Sequence, residues 1–261
     1  MSRASIQQKY ALLILIGVIS IATISFIDPI PQDQQYHQFA DQRSYLSIPN
    51  TLNVVSNLLF TVAGLAGLYL LCVRRSLVIV DSLFPAYFTF FAALIAIAPG
   101  SAWYHWVPDN QSLVWDRLPM TLAFMSFFTI ILGERLSSRF AKLMFLPLLI
   151  AGLLSILYWS FSELAGSGDL RPYALVQFLP MLIIPLILLM FSSKYTRDRD
   201  IWIFLACYLA AKLLEFFDDQ IFQSLGFISG HSLKHIAASI GCLVYLRYLH
   251  SRTAITQEVP D

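Results

Sequence analysis

Ser101 and His105 stand four residues apart, Asp116 follows eleven residues after His105, and far downstream His231 and His235 are again four apart. On a helix that spacing puts two side chains on one face. Two histidines on one face can hold a single ion. A third from another helix completes the set of neutral imidazoles used by catalytic zinc sites, which keep one position open. His105, His231 and His235 are therefore the expected zinc ligands. Zinc in such a sphere lowers the pKa of its water to about 7 and makes a hydroxide nucleophile available at ordinary pH. Asp116 is the expected general base, taking the water proton and returning it to the leaving group. Its competing reading is a helix-start carboxylate favoured by the helix dipole or paired with the adjacent Arg117. Ser101 is expected to donate a hydrogen bond to the developing oxyanion. Its alternative is a hydroxyl bonded to its own helix backbone beside Pro99.

The elements that must position these residues are apolar. The chain has 261 residues, 57% of them hydrophobic and 13% charged, with a mean hydropathy of +0.67. A soluble domain carries about a quarter charged residues. The excess lies in separate runs long enough to cross a bilayer, so the composition predicts a polytopic all-α membrane protein whose single bundle uses the whole length. A formal charge of +1, with no basic stretch interleaved with aromatics, gives no nucleic-acid signal, and no nucleic-acid partner is expected. Cys72, Cys207 and Cys242 lie inside apolar runs without CxxC spacing and read as small core residues.

Eight spans are expected, over residues 11–27, 52–71, 82–105, 115–133, 141–161, 172–190, 201–217 and 230–250. The first run could be a signal peptide, but no small-x-small cleavage site follows it, so a retained helix is expected. A polar loop, 28–50, comes next; with Asp28, Asp33, His37, Asp41 and Arg43 it reads as a mixed solvated loop, His37 included. In the second span Asn53, Ser56 and Asn57 share one face, which must turn into the bundle as helix–helix glue or as support for the site. Ser112 is a plausible cap for the fourth span, Asp169 and Pro172 mark the start of the sixth, and Ser229 caps the eighth. Lys212, Glu215 and Asp219 share a face in the seventh. They read as a structural ion pair or as carboxylates that orient a ligand histidine.

Lys and Arg alternate along this order. Arg3 and Lys9, Arg74 and Arg75, Arg135, Arg139 and Lys142, Lys194, Arg197 and Arg199, and finally Arg247 and Arg252 mark alternate connections. The intervening ones hold only Arg43 and Arg171. Both termini are then cytoplasmic. The same topology brings Ser101, His105, Asp116, His231 and His235 to one depth near the non-cytoplasmic face.

Four stretches carry a family resemblance: SNLLF at 56–60, GSAWYH at 100–105, DRLPM at 116–120 and SGHSLKH at 229–235. In order and spacing they resemble the alkaline ceramidase family in its bacterial form. That family lies within a wider superfamily of seven-helix putative hydrolases that includes the progestin and adiponectin receptors. The resemblance covers about 44–250. It implies a seven-transmembrane-helix bundle over 44–250, with 1–43 adding one N-terminal transmembrane helix and a polar loop, and 251–261 a cytoplasmic tail. It implies zinc on His105, His231 and His235, with Ser101 and Asp116 catalytic, and hydrolysis of the amide of ceramide to a sphingoid base and a fatty acid. The substrate would be a lipid drawn from the bilayer, in the inner membrane if the source is bacterial. Eukaryotic members also carry an acidic calcium site before the first core helix. Here Asn50 stands where one of those acids is sought and Asp41 fits only loosely, so calcium is in doubt. Two other expectations stay open: a hydrolase of another lipid amide or ester, and a lipid receptor or binding protein on the same scaffold with structural zinc. Fold alone cannot separate them.

Overall fold

The structure, a computed structural model, describes residues 3–255 and is helical throughout, without a β-strand among those residues. Helix α1, Arg3–Phe26, lies against the outside of the bundle and contacts α7, defined below. Ile14, Leu15, Val18 and Ile19 on α1 are exposed, as a lipid-facing surface requires. The expected tail beyond Ile255 falls outside the described residues.

The second expected span is one membrane-length segment, Thr51–Val73, interrupted at Ser56 and Asn57. α2 covers Thr51–Val55 and α3 covers Leu58–Leu68. The break has a local cause. Asn57 Nδ2 donates to the Asn53 carbonyl oxygen at 2.8 Å and Ser56 Oγ lies 3.2 Å from the same oxygen. Two side chains thus crowd an acceptor that a regular helix reserves for a backbone N–H.

α4, Phe84–Trp106, and α5, Asn110–Arg135, form a tight antiparallel pair. The helix expected from residue 115 begins five residues earlier. Its cap is Asp109, whose carboxylate accepts the Ser112 N–H at 2.7 Å while Ser112 Oγ accepts the Asp109 N–H at 3.2 Å. Ser112 is the reciprocal partner in a capping box rather than the cap itself. Gly100 allows the two helices to close. A Cβ there would come within 2.2 Å of the Trp115 carbonyl oxygen. That approach places Ser101 of α4 beside Asp116 of α5.

α6, Ser138–Leu164, and α7, Arg171–Met190, continue the bundle. α8, Asp198–Phe216, turns directly into the short α9, Asp218–Leu225. α10, Gly230–Ser251, is capped by Ser229, as expected, and packs along α8. The buried core runs between α4, α5, α7 and α10 through Tyr87, Phe91, Phe127, Ile184 and Tyr245.

Among the described residues, six helical segments are long and apolar enough to cross a membrane: Ser5–Phe26, Thr51–Val73, Asp81–Trp106, Asn110–Arg135, Ser138–Leu164 and Arg171–Met190. The other two expected spans, α8 and α10, are helices of 19 and 22 residues, but they carry the charges and histidines described below and fall short on apolarity.

At the α5 C-terminus a second polar cluster closes the opposite end of the bundle. Arg252 Nη2 and Tyr87 OH each donate to Glu134 Oε1 at 2.6 Å, all within the buried interior. Residues 251–255 are fastened there. Thr196 N–H donates to the Thr253 carbonyl at 2.9 Å and Ile255 N–H to the Lys194 carbonyl at 2.9 Å.

Candidate metal centre and its cavity

His105 sits in the last turn of α4, and His231 and His235 in the first turns of α10. The approach of these two helix ends builds a near-equilateral triangle of imidazoles. Ring centroids are 4.8 Å apart for His105 and His231, 5.0 Å for His105 and His235, and 5.0 Å for His231 and His235. One ring nitrogen from each lies within 4.8 Å of the others, and all three residues are buried. A tetrahedral ion with bonds of about 2.0–2.1 Å needs its nitrogens about 3.4 Å apart, so the rings would draw closer around one.

The hydrogen bonds of the rings fit a metal. His105 Nδ1 and His231 Nε2 are buried and have no hydrogen-bond partner. Buried polar nitrogens are seldom left so. His235 Nδ1 lies 2.8 Å from Ser56 Oγ, which also lies 3.2 Å from the Asn53 carbonyl. With its hydrogen on the Asn53 carbonyl, Ser56 Oγ accepts from His235 Nδ1–H. The lone pair of His235 is then on Nε2, the tautomer a ligand needs. Asn53 in turn accepts from Ser232 Oγ at 2.6 Å, tying α2 to α10. The polar face at Asn53, Ser56 and Asn57 thus supports a site histidine.

The backbone around the triad is held as firmly. Asp218 Oδ1 accepts the His231 N–H at 2.6 Å, and its Oδ2 accepts the Ala40 N–H at 3.2 Å. Asn50 Nδ2 donates to the His105 carbonyl at 2.8 Å. Gly230 makes room for the start of α10, since a Cβ there would lie 2.2 Å from the Leu214 carbonyl oxygen. Phe39, from the loop before α2, packs edge-on against His105 at 4.7 Å and His231 at 4.9 Å. The loop read from sequence as solvated therefore roofs the triad. His37, read as solvated with the rest of that loop, lies 3.1 Å from Tyr104 OH and 2.9 Å from Asn110 Oδ1.

Ser101, Asp116 and His235 meet on the wall of one cavity of about 350 Å³. The Ser101 hydroxyl faces the Asp116 carboxylate. From this polar end the cavity extends between Phe60, Phe90, Leu94, Phe127 and Phe204, a lining suited to an alkyl chain. Asn57 Oδ1, buried and without a partner, also faces this space.

Several expectations resolve differently. Asp116 makes no ion pair with Arg117. Arg117 Nη2 donates to Gln32 Oε1 at 2.8 Å and its guanidinium stacks on Trp159 at 4.5 Å and Tyr173 at 4.9 Å. Glu215 makes the structural ion pair expected with Lys212, at 2.8 Å, and adds Lys234 at 2.7 Å; the alternative, a bond from Glu215 to one of the three histidines, is not formed. Asp219 is exposed, and its neighbour Asp218 is the carboxylate that braces His231. Asp41 is engaged by Arg43 through two bonds of 2.7 Å. Burial alone would raise its carboxyl, but the Arg43 bonds outweigh it and hold the group below the usual carboxylate range. Burial, and then the Glu215 charge, raise the Tyr36 phenol well above its ordinary value, so it stays a donor to Glu215 Oε1 at 3.2 Å.

Neither the protein-family profiles, nor the curated proteins, nor the solved structures compared with this chain include a match. The functional reading therefore rests on the geometry above and on the resemblance in the four sequence stretches.

Proposed function

We propose that the protein is a zinc-dependent intramembrane amide hydrolase of the alkaline ceramidase type, acting on ceramide-like N-acyl lipids. The observation that carries this reading is the joining of three imidazoles to Ser101, Asp116 and an apolar cavity at one end of the bundle. Zinc held by His105, His231 and His235 would supply a Lewis acid and an acidified water. The remaining steps belong to the chain. Asp116 takes the proton of the attacking water and delivers it to the departing amine nitrogen. Ser101 donates a hydrogen bond to the carbonyl oxygen as charge develops on it. The C–N bond breaks, hydroxyl goes to the acyl carbon and the proton to nitrogen, giving an amine and a fatty acid. The apolar arm of the cavity holds the acyl chain.

In the same reading α8 and α10 cross the membrane with the six apolar segments. Seven helices make the catalytic bundle and α1 is an addition. Both termini are cytoplasmic, and the histidines open to the other face. The cations Arg135, Arg197, Arg247 and Arg252 gather at the opposite end, which supports this orientation.

A second reading is favoured by one observation. Phe39 covers His105 and His231, and of the three histidines His235 is the one on the cavity wall. A metal there would tie α4 to α10 in a lipid-binding protein or receptor without catalysis. Purified protein incubated with ceramide, with and without a chelator, separates the two. Fatty acid released only by the metal-loaded protein supports the hydrolase. Intact ceramide with stoichiometric metal supports the binding protein.

A further inference from the structure

The polar end of the cavity carries more positive charge than the proposed chemistry uses. Arg117, Lys212 and Lys234 face it, against the carboxylates of Asp116 and Glu215. Glu215 is already occupied, with Oε2 on Lys212 and Oε1 on Lys234 and on the Tyr36 hydroxyl. Each ammonium has three donor hydrogens, and each makes a single described hydrogen bond. Arg117 is the sharpest feature. It is 6% exposed, yet its Nη1 has no hydrogen-bond partner. Its guanidinium is fixed by Gln32 on one nitrogen and by the rings of Trp159, Tyr173 and Tyr36. A buried, rigid guanidinium with an idle edge is costly unless an acceptor comes to it. The roles given to Asp116 and Ser101 leave it unused.

We infer that the cavity takes an amphiphile whose head group is an anion, a carboxylate or a phosphate, seated on Arg117 Nη1 with Lys212 and Lys234 alongside, and whose alkyl chain lies among the phenylalanines. The planar fork of arginine suits both oxyanions. The surrounding low dielectric strengthens the attraction, and the aromatic cage spares the guanidinium the entropy of being ordered. Only the amide in this ligand rests on the hydrolase reading. There the preferred substrate becomes an N-acyl lipid that bears an acid on its amine side. Anion binding itself needs neither metal nor turnover.

The test is equilibrium binding to the metal-depleted full chain in nanodiscs, with three probes of one acyl chain and one amide. N-palmitoylethanolamine has a neutral head, N-palmitoylglycine a carboxylate and N-palmitoylphosphoethanolamine a phosphate. At least one acidic probe is expected to bind about tenfold or more tightly than the neutral one, in keeping with a charge-assisted hydrogen bond. The tighter of the two acids identifies the head group. Arg117→Gln should bring that acid down to the affinity of the neutral probe and leave the neutral probe unchanged. Because Arg117 is packed among rings and its loss can unfold the region, Lys212→Gln, at a half-exposed position, serves as the second variant. It should narrow the preference severalfold in a folded protein. Equal affinity for all three probes, or a preference untouched by both substitutions, overturns the inference. A chain that prefers the acids but hydrolyses no amide upholds anion binding and removes the hydrolase. A chain that hydrolyses ceramide without any acid preference does the reverse.

Discussion

Ser56 Oγ stands 2.8 Å from His235 Nδ1 and, with its own hydrogen on the Asn53 carbonyl, accepts a hydrogen bond from Nδ1–H. One hydroxyl at the break between α2 and α3 therefore sets the tautomer of a histidine 179 residues further along the chain. Ser56→Ala leaves the imidazole free to rotate and to put its hydrogen on either nitrogen. Outer-shell bonds of this kind are worth roughly 10–100-fold in metal affinity. Competition against a chelator of known affinity should show a loss of that size, with helicity unchanged. An unaltered affinity would mean that packing alone orients His235.

The triad itself makes a stoichiometric prediction. About one zinc per chain should copurify. His105→Ala, His231→Ala and His235→Ala should each lose it, since two imidazoles leave the sphere incomplete. Elemental analysis of the His231→Ala/His235→Ala double variant is the stringent version, and full metal retention there would exclude the site.

Gly100 fixes how closely α4 can approach α5, and with it the distance between Ser101 and Asp116. Gly100→Ala drives a methyl against the Trp115 carbonyl, an atom of the backbone that cannot swing aside. Overpacking of this kind costs about 1–3 kcal/mol. Thermal unfolding should shift downward accordingly. Turnover should fall further than stability, because the helices can relax only by separating the two catalytic side chains. Unchanged stability and turnover would show that the helices yield without harm.

The parts legible in the sequence were those with a local signal. The apolar runs marked the long helices, and the i, i+4 spacings marked His231–His235 and Ser101–His105, because helix geometry alone brings such pairs together. The polar trio Asn53, Ser56 and Asn57 signalled an inward face, although the break they cause depends on competition for one carbonyl. Asp218 carried no signal. Its role needs the α8–α9 turn to fold back onto α10, a contact that no periodicity records. The loop 28–50 misled for the same reason. Its polar composition suggests water, while Tyr36, Phe39 and Ala40 are placed against the site by partners far along the chain. Arg117 next to Asp116 in sequence suggested a pair, but neighbours on a helix point about 100° apart, and it went to Gln32 and the rings instead.

The proposed topology is checked with reporters. A cytoplasmic reporter fused after Arg252 should be active, and one inserted near Asn110, in the turn between α4 and α5, should be silent. Since α8 and α10 are less apolar than the other segments, a reporter between α9 and α10, at Gly226, tests them directly. It should behave as the one at Asn110 does. Activity at Gly226 would leave α8 outside the membrane and separate the histidines of α10 from the face proposed for them.

The division of labour between Asp116 and Ser101 bears hardest on the proposed reaction. Three imidazoles and a water fill four positions around zinc, so Asp116 is assigned to moving protons and not to binding metal. Its place beside Ser101 on the cavity wall, clear of any described ion pair, suits that task. Asp116→Asn preserves the shape and removes the base. Turnover of an N-acyl lipid should fall about 10²–10⁴-fold with zinc still bound. Ser101→Ala removes one oxyanion donor and should cost about 10²–10³-fold, again with zinc retained. Intact-protein mass during turnover should show no acyl group on Ser101, because water and not the serine is the nucleophile. A trapped acyl-Ser101 would replace this scheme with covalent catalysis. Near-normal turnover of Asp116→Asn would remove its proton-transfer role. Absence of turnover in the metal-loaded wild-type chain would leave the histidines as a tie between α4 and α10 in a lipid-binding protein.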